Sequence, residues 1–197
     1  MADGRQKRTE GKRRQILRTG RDLFWRHGIR RITVEEIART AGVSKATFYK
    51  HFSNKAQLVK AIFDELIEEG FARFDEIRAM DAPFPSKVER IIQNKLEQTE
   101  DVHQEFIRDT WQNSDPEIRA HIERRSREGM EKVRTFFAEA QARGEVRGDL
   151  KLDFVMFISE HLRTLATDEL LLSLYATPQD LIGELTRFYF YGIMPRE

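Results

Sequence analysis

Between Thr33 and Lys55 the chain carries hydroxyl, ammonium, phenol and imidazole groups at spacings that suit contact with a nucleic-acid duplex. In a helix that begins after Ser44, the turn of 100° per residue separates an outward face from an inward one. The side chains on or beside the outward face are Lys45, Ala46, Thr47, Tyr49, Lys50 and His51. This face is small, polar and basic, so it can enter a major groove about 12 Å wide and reach base edges and phosphates.

Two short helices joined by a tight turn would present that face. Thr33 followed by Glu36 fits a capping box, which places the start of the first helix at the next residue after Thr33. Gly42 can adopt the left-handed conformation that ends a helix. Ser44 is then a natural N-cap for the second helix, and Phe48 and Phe52, one turn apart, point inward. The pattern predicts a helix-turn-helix unit.

The run from Thr33 to Lys55 fits T-x-E-x-I-A-x-x-A-G-V-S-x-x-T-x-Y-x-H-F-x-x-K, and in it the chain resembles the tetracycline-repressor (TetR) family of bacterial transcription regulators. The resemblance covers roughly residues 13 to 61. It implies phosphate contacts from Thr33, Tyr49 and Lys55. It implies base or backbone contacts from Lys45, Ala46, Thr47, Lys50 and His51.

Charge is divided unevenly along the chain. Residues 1–60 hold 16 of the 34 Lys and Arg but only 5 of the 33 Asp and Glu, a net charge of +11, which leaves −10 on residues 61–197. A polyanion would attract the first part and be repelled by the second, so charge alone would orient the protein on DNA. A merely solvated basic surface is the alternative, but the excess coincides with the two-helix motif.

Hydrophobic periodicity is helical almost throughout, which predicts an all-α fold. We expect a three-helix, helix-turn-helix DNA-binding domain over residues 1–60 and a helical ligand-binding and dimerisation domain over residues 61–197. The first helix should span about Thr9 to His27, preceded by a disordered basic arm that either reaches a minor groove or is only solvated. Asn54 with Gln57 should cap a fourth helix that links the two domains.

The prediction of a dimer rests on the apolar pattern of the last two helices. One is expected from about Lys151 to Tyr175 and the other after the Thr177–Pro178 cap. In the first of them, one apolar stripe contains Val155 and a second contains Phe154 and Phe157, and two apolar faces need two burial partners. A homodimer would also let two reading helices bind a palindrome. The resemblance points to the same four-helix bundle, although ordinary intrachain core is the alternative for the second stripe.

The resemblance also implies a small-molecule effector held among the middle helices. Aromatic and imidazole side chains that could line its pocket are Phe106, Trp111, Phe137, Phe157 and His161. Each of them is individually more typical of plain core packing. His161, beside Phe157 on an apolar face, could donate to a ligand or be a hydrogen-bonded core histidine.

An enzyme finds no support in the residues, because the chain has no Cys, no GxSxG, no Walker loop and no GxGxxG. We expect no cofactor and no metal site: Glu117 and His121 share a helix face, but a solvated pair explains them better. The first 12 residues lack the apolar stretch of a signal peptide and no segment suits a membrane, so a cytoplasmic protein is expected. The alternative to a DNA-binding regulator is a helical adaptor that binds only protein. Such an adaptor would not explain the basic N-terminal region.

Overall fold

In the computed structural model, the protein is described over residues 2–99, 103–111 and 115–194, and this part of the chain is helical and contains no strand. The all-α prediction is confirmed. The helices follow one another as α1 (Ala2–His27), α2 (Val34–Thr40), α3 (Lys45–His51), α4 (Lys55–Ala79), α5 (Phe84–Thr99), α6 (Gln104–Trp111), α7 (Pro116–Ala142), α8 (Leu152–Leu165), α9 (Glu169–Ser173) and α10 (Pro178–Ile193).

The chain divides into two compact units. Unit one comprises residues 1–67 and 101–123, and unit two comprises residues 68–100 and 124–197. Helices α4 and α7 each contribute residues to both units. The units therefore interleave along the chain, whereas the sequence predicted one boundary after residue 60. That boundary, as a limit between functional domains, stays a prediction.

Unit one is built around a core that α1, α2, α3, α4, α6 and the start of α7 share. Among its most deeply buried members are Ile16, Leu17, Phe24, Ile37, Phe48 and Leu58. Helix α1 continues back to Ala2, so residues 2–8, which were expected in a disordered arm, are part of the helix, and Met1 lies outside the described residues. Gly28, with a φ of 78°, ends α1 as a left-handed residue does.

Unit two has a separate aromatic core. Phe84 of α5, Phe136 and Phe137 of α7, and Tyr189 and Phe190 of α10 are all buried there. The rings of Phe84 and Phe136 stack with centroids 5.4 Å apart. Helices α5, α7 and α10 are thereby packed together through large apolar side chains, which are the most effective source of burial energy.

The prediction of a single helix from Lys151 to Tyr175 is wrong, because the structure has two helices, α8 and α9, in this segment. Helix α8 ends at Leu165, and the side chain of Asp168 accepts a hydrogen bond from the backbone N of Leu171 at 3.0 Å. A carboxylate that caps a new helix competes with continuation of the old one. At Thr177 the predicted cap is confirmed as a full capping box with Asp180.

Among the described residues, none of the helices has both the length and the apolar composition needed to cross a membrane.

Close packing at a helical glycine in unit two generates a test of the fold. The ring of Phe71 in α4 rests against Gly129 in α7, and a Cβ at position 129 would lie 1.5 Å from the ring Cζ. We expect Gly129→Ala to lower the free energy of unfolding by about 1 to 3 kcal/mol in urea denaturation, because the ring must be displaced. Gly70→Ala is the matched control, since its nearest side-chain atom is 4.0 Å away.

The control should keep or raise stability, by up to about 1 kcal/mol, because Ala favours a helix over Gly. Combining Gly129→Ala with Phe71→Ala should remove the steric part of the loss. Wild-type stability for Gly129→Ala alone would contradict this packing.

Candidate nucleic-acid interface

Helices α2 and α3 form the predicted helix-turn-helix, and its local caps are in place. The hydroxyl of Thr33 accepts from the backbone N of Glu36 at 3.2 Å, and that of Ser44 accepts from the backbone N of Thr47 at 3.1 Å. Gly42 lies at a φ of 60°, which provides the left-handed turn between the helices. The turn is closed by a hydrogen bond from Val43 N to Ala38 O of 2.9 Å.

Phe48 and Phe52 attach α3 to the rest of unit one. Their side chains are 0% and 4% exposed, and their ring centroids are 5.9 Å apart. The guanidinium of Arg13, from α1, lies over the Phe52 ring at 5.4 Å from its centroid. One side of α3 is therefore held in the core, which leaves the opposite side for other contacts.

The opposite side of α3 carries the residues predicted to contact DNA. Ala46 and Lys50 are exposed, and Tyr49 is 45% exposed despite its large ring. The hydroxyl of Thr47 is hydrogen-bonded to that of Ser44 at 2.9 Å. Thr33 is exposed at the start of α2. The structure thus brings polar and basic groups to one accessible face, although their individual contacts with DNA stay predictions.

Lys45 is paired within the protein. Its ammonium forms an ion pair with Glu35 of α2 and lies 6.0 Å from the centroid of the Tyr49 ring. The side-chain hydrogen bond between them lowers the pKa of Glu35 and raises the pKa of Lys45. Contact with a phosphate would exchange one partner for another in an exposed pair, which costs little. Helix face and residue spacing along the sequence do not reveal this pair, because the two residues lie on different helices.

His51 ends α3 in a basic environment. Burial, followed by the charges of Lys50, Arg13 and Lys12, lowers the pKa of His51 below its ordinary 6.5. This shift favours the neutral imidazole at pH 7, and a neutral imidazole can both donate and accept a hydrogen bond. A surrounding positive potential is also what a phosphate backbone would meet.

The ammonium of Lys55 has partners other than the predicted phosphate. It donates to the carbonyl oxygens of Ile29, Arg30 and Ile32 at 2.9, 3.4 and 3.0 Å. These carbonyls belong to the turn between α1 and α2. The side chain is thus directed into unit one, because folding brings three acceptors next to it, and the spacing along the sequence gives no sign of this.

The residues expected to line an effector pocket are dispersed. Phe106 belongs to the core of unit one, and Phe137 belongs to the core of unit two. Phe157 is 56% exposed on α8 and stacks on His161 with centroids 4.0 Å apart. The Nδ1 of His161 is 2.8 Å from the carbonyl oxygen of Phe157, and the side chain of Trp111 lies outside the described part. Their role in ligand binding stays a prediction.

The pair on α7 that shares a helix face has partners on α4. Glu117 forms an ion pair with Lys60, which is only 9% exposed, and His121 Nε2 lies 2.9 Å from Asp64 Oδ1. These contacts give both side chains a structural role within unit one. In the described ranges, the structure contains no group of three or more His, Cys, Asp or Glu able to hold a metal ion.

Comparison with known proteins agrees with this geometry. Residues 16–62 match the family model described as bacterial regulatory proteins of the tetR family. The segment that contains the helix-turn-helix is thus similar to the TetR family. The matched segment runs from Ile16 in α1 through α2 and α3 to Ile62 in α4, and so includes the whole helix-turn-helix.

Curated relatives of this chain are named as transcriptional regulators or repressors. It is 43% identical over 56 residues to the HTH-type transcriptional regulator TtgR of Pseudomonas putida, a match that covers 28% of this chain and 27% of TtgR. The chain thus matches about a quarter of TtgR's length. It is 24% identical over 147 residues to the HTH-type transcriptional repressor KstR2 of Mycolicibacterium smegmatis, covering 73% of this chain and 72% of that one.

A solved structure shares the fold of this chain over almost its whole length. The regulator FadR from Bacillus subtilis, solved in complex with stearoyl-CoA, matches with a TM-score of 0.69 at 19% identity. The match covers 91% of this chain and 98% of FadR. At this identity the comparison shows that the fold is shared.

The lowered pKa of His51 has a measurable consequence. Between pH 6.5 and the pKa in the folded state, the unfolded chain takes up a proton at this residue and the folded chain does not. The contribution of His51 to stability therefore falls as the pH falls through that window. We expect an NMR titration of the free protein to give a pKa below 6.5 for the His51 imidazole. We also expect His51→Gln to lessen the loss of stability at acid pH. A pKa above 6.5 would contradict this environment.

Proposed function

We propose that this protein is a transcriptional regulator that binds a palindromic operator as a homodimer. One observation carries the proposal: α3 has an outward face of small, polar and basic groups opposite two buried phenylalanines. A helix so attached can enter a major groove without losing its place in the core. The N-terminal 60 residues carry a net charge of +11, which favours approach to the phosphate backbone.

Different roles are assigned to the residues of this face. Thr33 and Tyr49 would contact phosphates and so position the protein on the duplex. Lys45, Ala46, Thr47, Lys50 and His51 would contact bases or the backbone nearby. Contacts to phosphates orient the helix, whereas contacts to base edges select the sequence. Lys55 is left out of this set because its ammonium is directed into unit one.

The homodimer would form through α8 and α10. Both helices bury one side in the core of unit two, where Val155 is 1% exposed and Phe190 is 7% exposed. Their other sides carry large exposed apolar side chains: Phe154, Phe157 and Leu165 on α8, and Phe188 and Tyr191 on α10. Exposed aromatic groups in such number are typical of an interaction surface. A second copy of the same surface would cover them around a two-fold axis.

We propose that a small molecule bound by unit two releases the protein from its operator, so that the protein acts as a repressor. The name of KstR2 and the stearoyl-CoA complex of FadR support this part. Release would be a shift of population: a ligand that binds better to one spacing of the two reading helices lowers affinity for DNA. Of the residues expected at the effector, Phe137 is buried within unit two.

Selection from a random duplex library with the purified protein, at near-physiological salt, tests the DNA-binding function. We expect a palindrome whose half-sites lie about 34 to 36 Å apart, because two reading helices on a two-fold axis face successive turns of one groove. Lys50→Ala should change the preferred sequence within each half-site. Retention that depends on salt but yields no consensus would reduce the interface to non-specific electrostatics, and no retention would favour the protein-binding adaptor.

The dimer surface is tested by placing a charge within it. Phe188, at 79% exposure, contributes little to the core of its own chain, so Phe188→Glu should fold and yet be monomeric in sedimentation equilibrium. Met80→Glu is the matched control, because Met80 is also exposed, at 42%, but lies outside α8 and α10. A dimer that survives Phe188→Glu would place the interface elsewhere.

A further inference from the structure

The turn between α1 and α2, residues 28–33, is held by charged groups from two other helices. On one side, the ammonium of Lys55 at the start of α4 donates to three of its carbonyl oxygens. An ammonium group has three N–H donors, and here three acceptors lie around it. With its donors directed to these carbonyls, this group has none left for a DNA phosphate.

On the other side, Asp109 of α6 accepts a hydrogen bond from the turn. The backbone N of Arg30 lies 2.8 Å from Oδ2 of Asp109, a residue 79 positions away along the chain. The same oxygen would lie 2.6 Å from a Cβ at Gly28, so the carboxylate is seated directly against the turn. Hydrogen bonds to a charged acceptor are shorter and stronger than those between neutral groups.

Helix α6 is itself fixed, so Asp109 acts from a rigid support. Phe106, one turn before Asp109, is buried, and its ring lies 5.8 Å from that of Phe63 and 6.4 Å from that of Trp25. Burial lowers the pKa of Lys55, and the negative charge of Asp109 opposes that change. The two charged groups therefore support each other across the turn.

We propose that Lys55 and Asp109 are positioning residues for DNA binding, which hold the α1–α2 turn so that Thr33 and α2 meet the duplex in the correct place. This inference rests on the proposed DNA-binding function. The turn leads directly into Thr33, the N-cap of α2. Without the ammonium, the three carbonyl oxygens lie close together with no donor between them. The turn then loses the hydrogen bonds that position Thr33 and the start of α2.

A salt titration separates positioning from phosphate contact. Lys55→Met keeps the aliphatic stem and removes the ammonium, and we expect it to lower affinity for the selected operator on the order of tenfold. The dependence of log affinity on log salt should keep its slope, because no phosphate contact is lost. Lys50→Ala is the comparison: besides changing the preferred sequence, it removes an exposed positive charge that would lie close to phosphates, and it should reduce the slope by about 1. An equal reduction with Lys55→Met would overturn the inference.

The carboxylate is tested with a graded pair of variants. Asp109→Ala should lower operator affinity in the same way, with the slope unchanged, whereas Asp109→Asn keeps an oxygen acceptor for Arg30 and should restore part of the affinity. Glu105→Gln removes an equal charge from the same helix one turn earlier and should behave as wild type. If Lys55 and Asp109 hold the turn jointly, the two substitutions should not be additive. The loss of operator affinity in the Lys55→Met, Asp109→Ala double variant should then be smaller than the two single losses combined.

Amide hydrogen exchange in the free protein tests, without DNA, whether Asp109 holds the α1–α2 turn. We expect the Arg30 amide to be protected in the wild type and in Asp109→Asn, and to exchange faster in Asp109→Ala, with the core amides of α1 unchanged in each. Unprotected Arg30 in the wild type would overturn the inference. If the Arg30 amide were protected but the protein bound no duplex, the proposed function would be rejected. The contacts of Lys55 and Asp109 with the turn would then have a structural role only.

Discussion

The reading helix α3 is seven residues long, and a helix of that length does not persist in water without support from its surroundings. Its support is the burial of Phe48, which is 0% exposed, together with Phe52 at the next turn. Everything proposed for the outward face depends on this attachment, because exposed polar side chains can read a groove only if the backbone beneath them is fixed. The rest of unit one is organised to make that burial possible. Helix α1 contributes Ile16 and Leu17 to the same core.

Three lysines near the interface show how differently one side chain can be used. Lys50 is exposed on the outward face of α3. Lys45 is paired with Glu35, in an exposed ion pair that can exchange partners at low cost. Lys55 is enclosed by backbone carbonyls and serves the architecture of the domain. The net positive charge of the region would attract DNA as a whole, but only some of its charges are placed to contact it.

Unit two is organised by aromatic packing on one side of α8 and α10 and by exposure on the other. Phe137, Tyr189 and Phe190 share a core in which the Phe137 and Tyr189 centroids are 6.0 Å apart. The opposite surface places Phe154 and Phe188 in water, which is unfavourable for a chain that remains alone. A shared surface between two copies would remove that cost and would also set the distance between two reading helices. The same two helices would then link effector binding to the geometry on DNA.

What the sequence by itself determined about this protein is local. The caps at Thr33, Ser44 and Thr177 and the left-handed Gly42 follow from side chains that act within three residues of themselves, so their patterns are readable along the chain. The apolar period of α3 likewise set which of its faces is buried, and the motif from Thr33 to Lys55 indicated a resemblance to the TetR family.

Only the tertiary structure decided the direction of Lys55, the role of Asp109 and the division between α8 and α9. The ammonium of Lys55 lies between carbonyls 23 to 26 residues away, and Asp109 reaches an amide 79 residues away. At Asp168 two local preferences compete, continuation of a helix and the start of another, and periodicity alone favoured continuation. A charged side chain takes the partners that folding brings to it, and those partners are set by packing of distant segments.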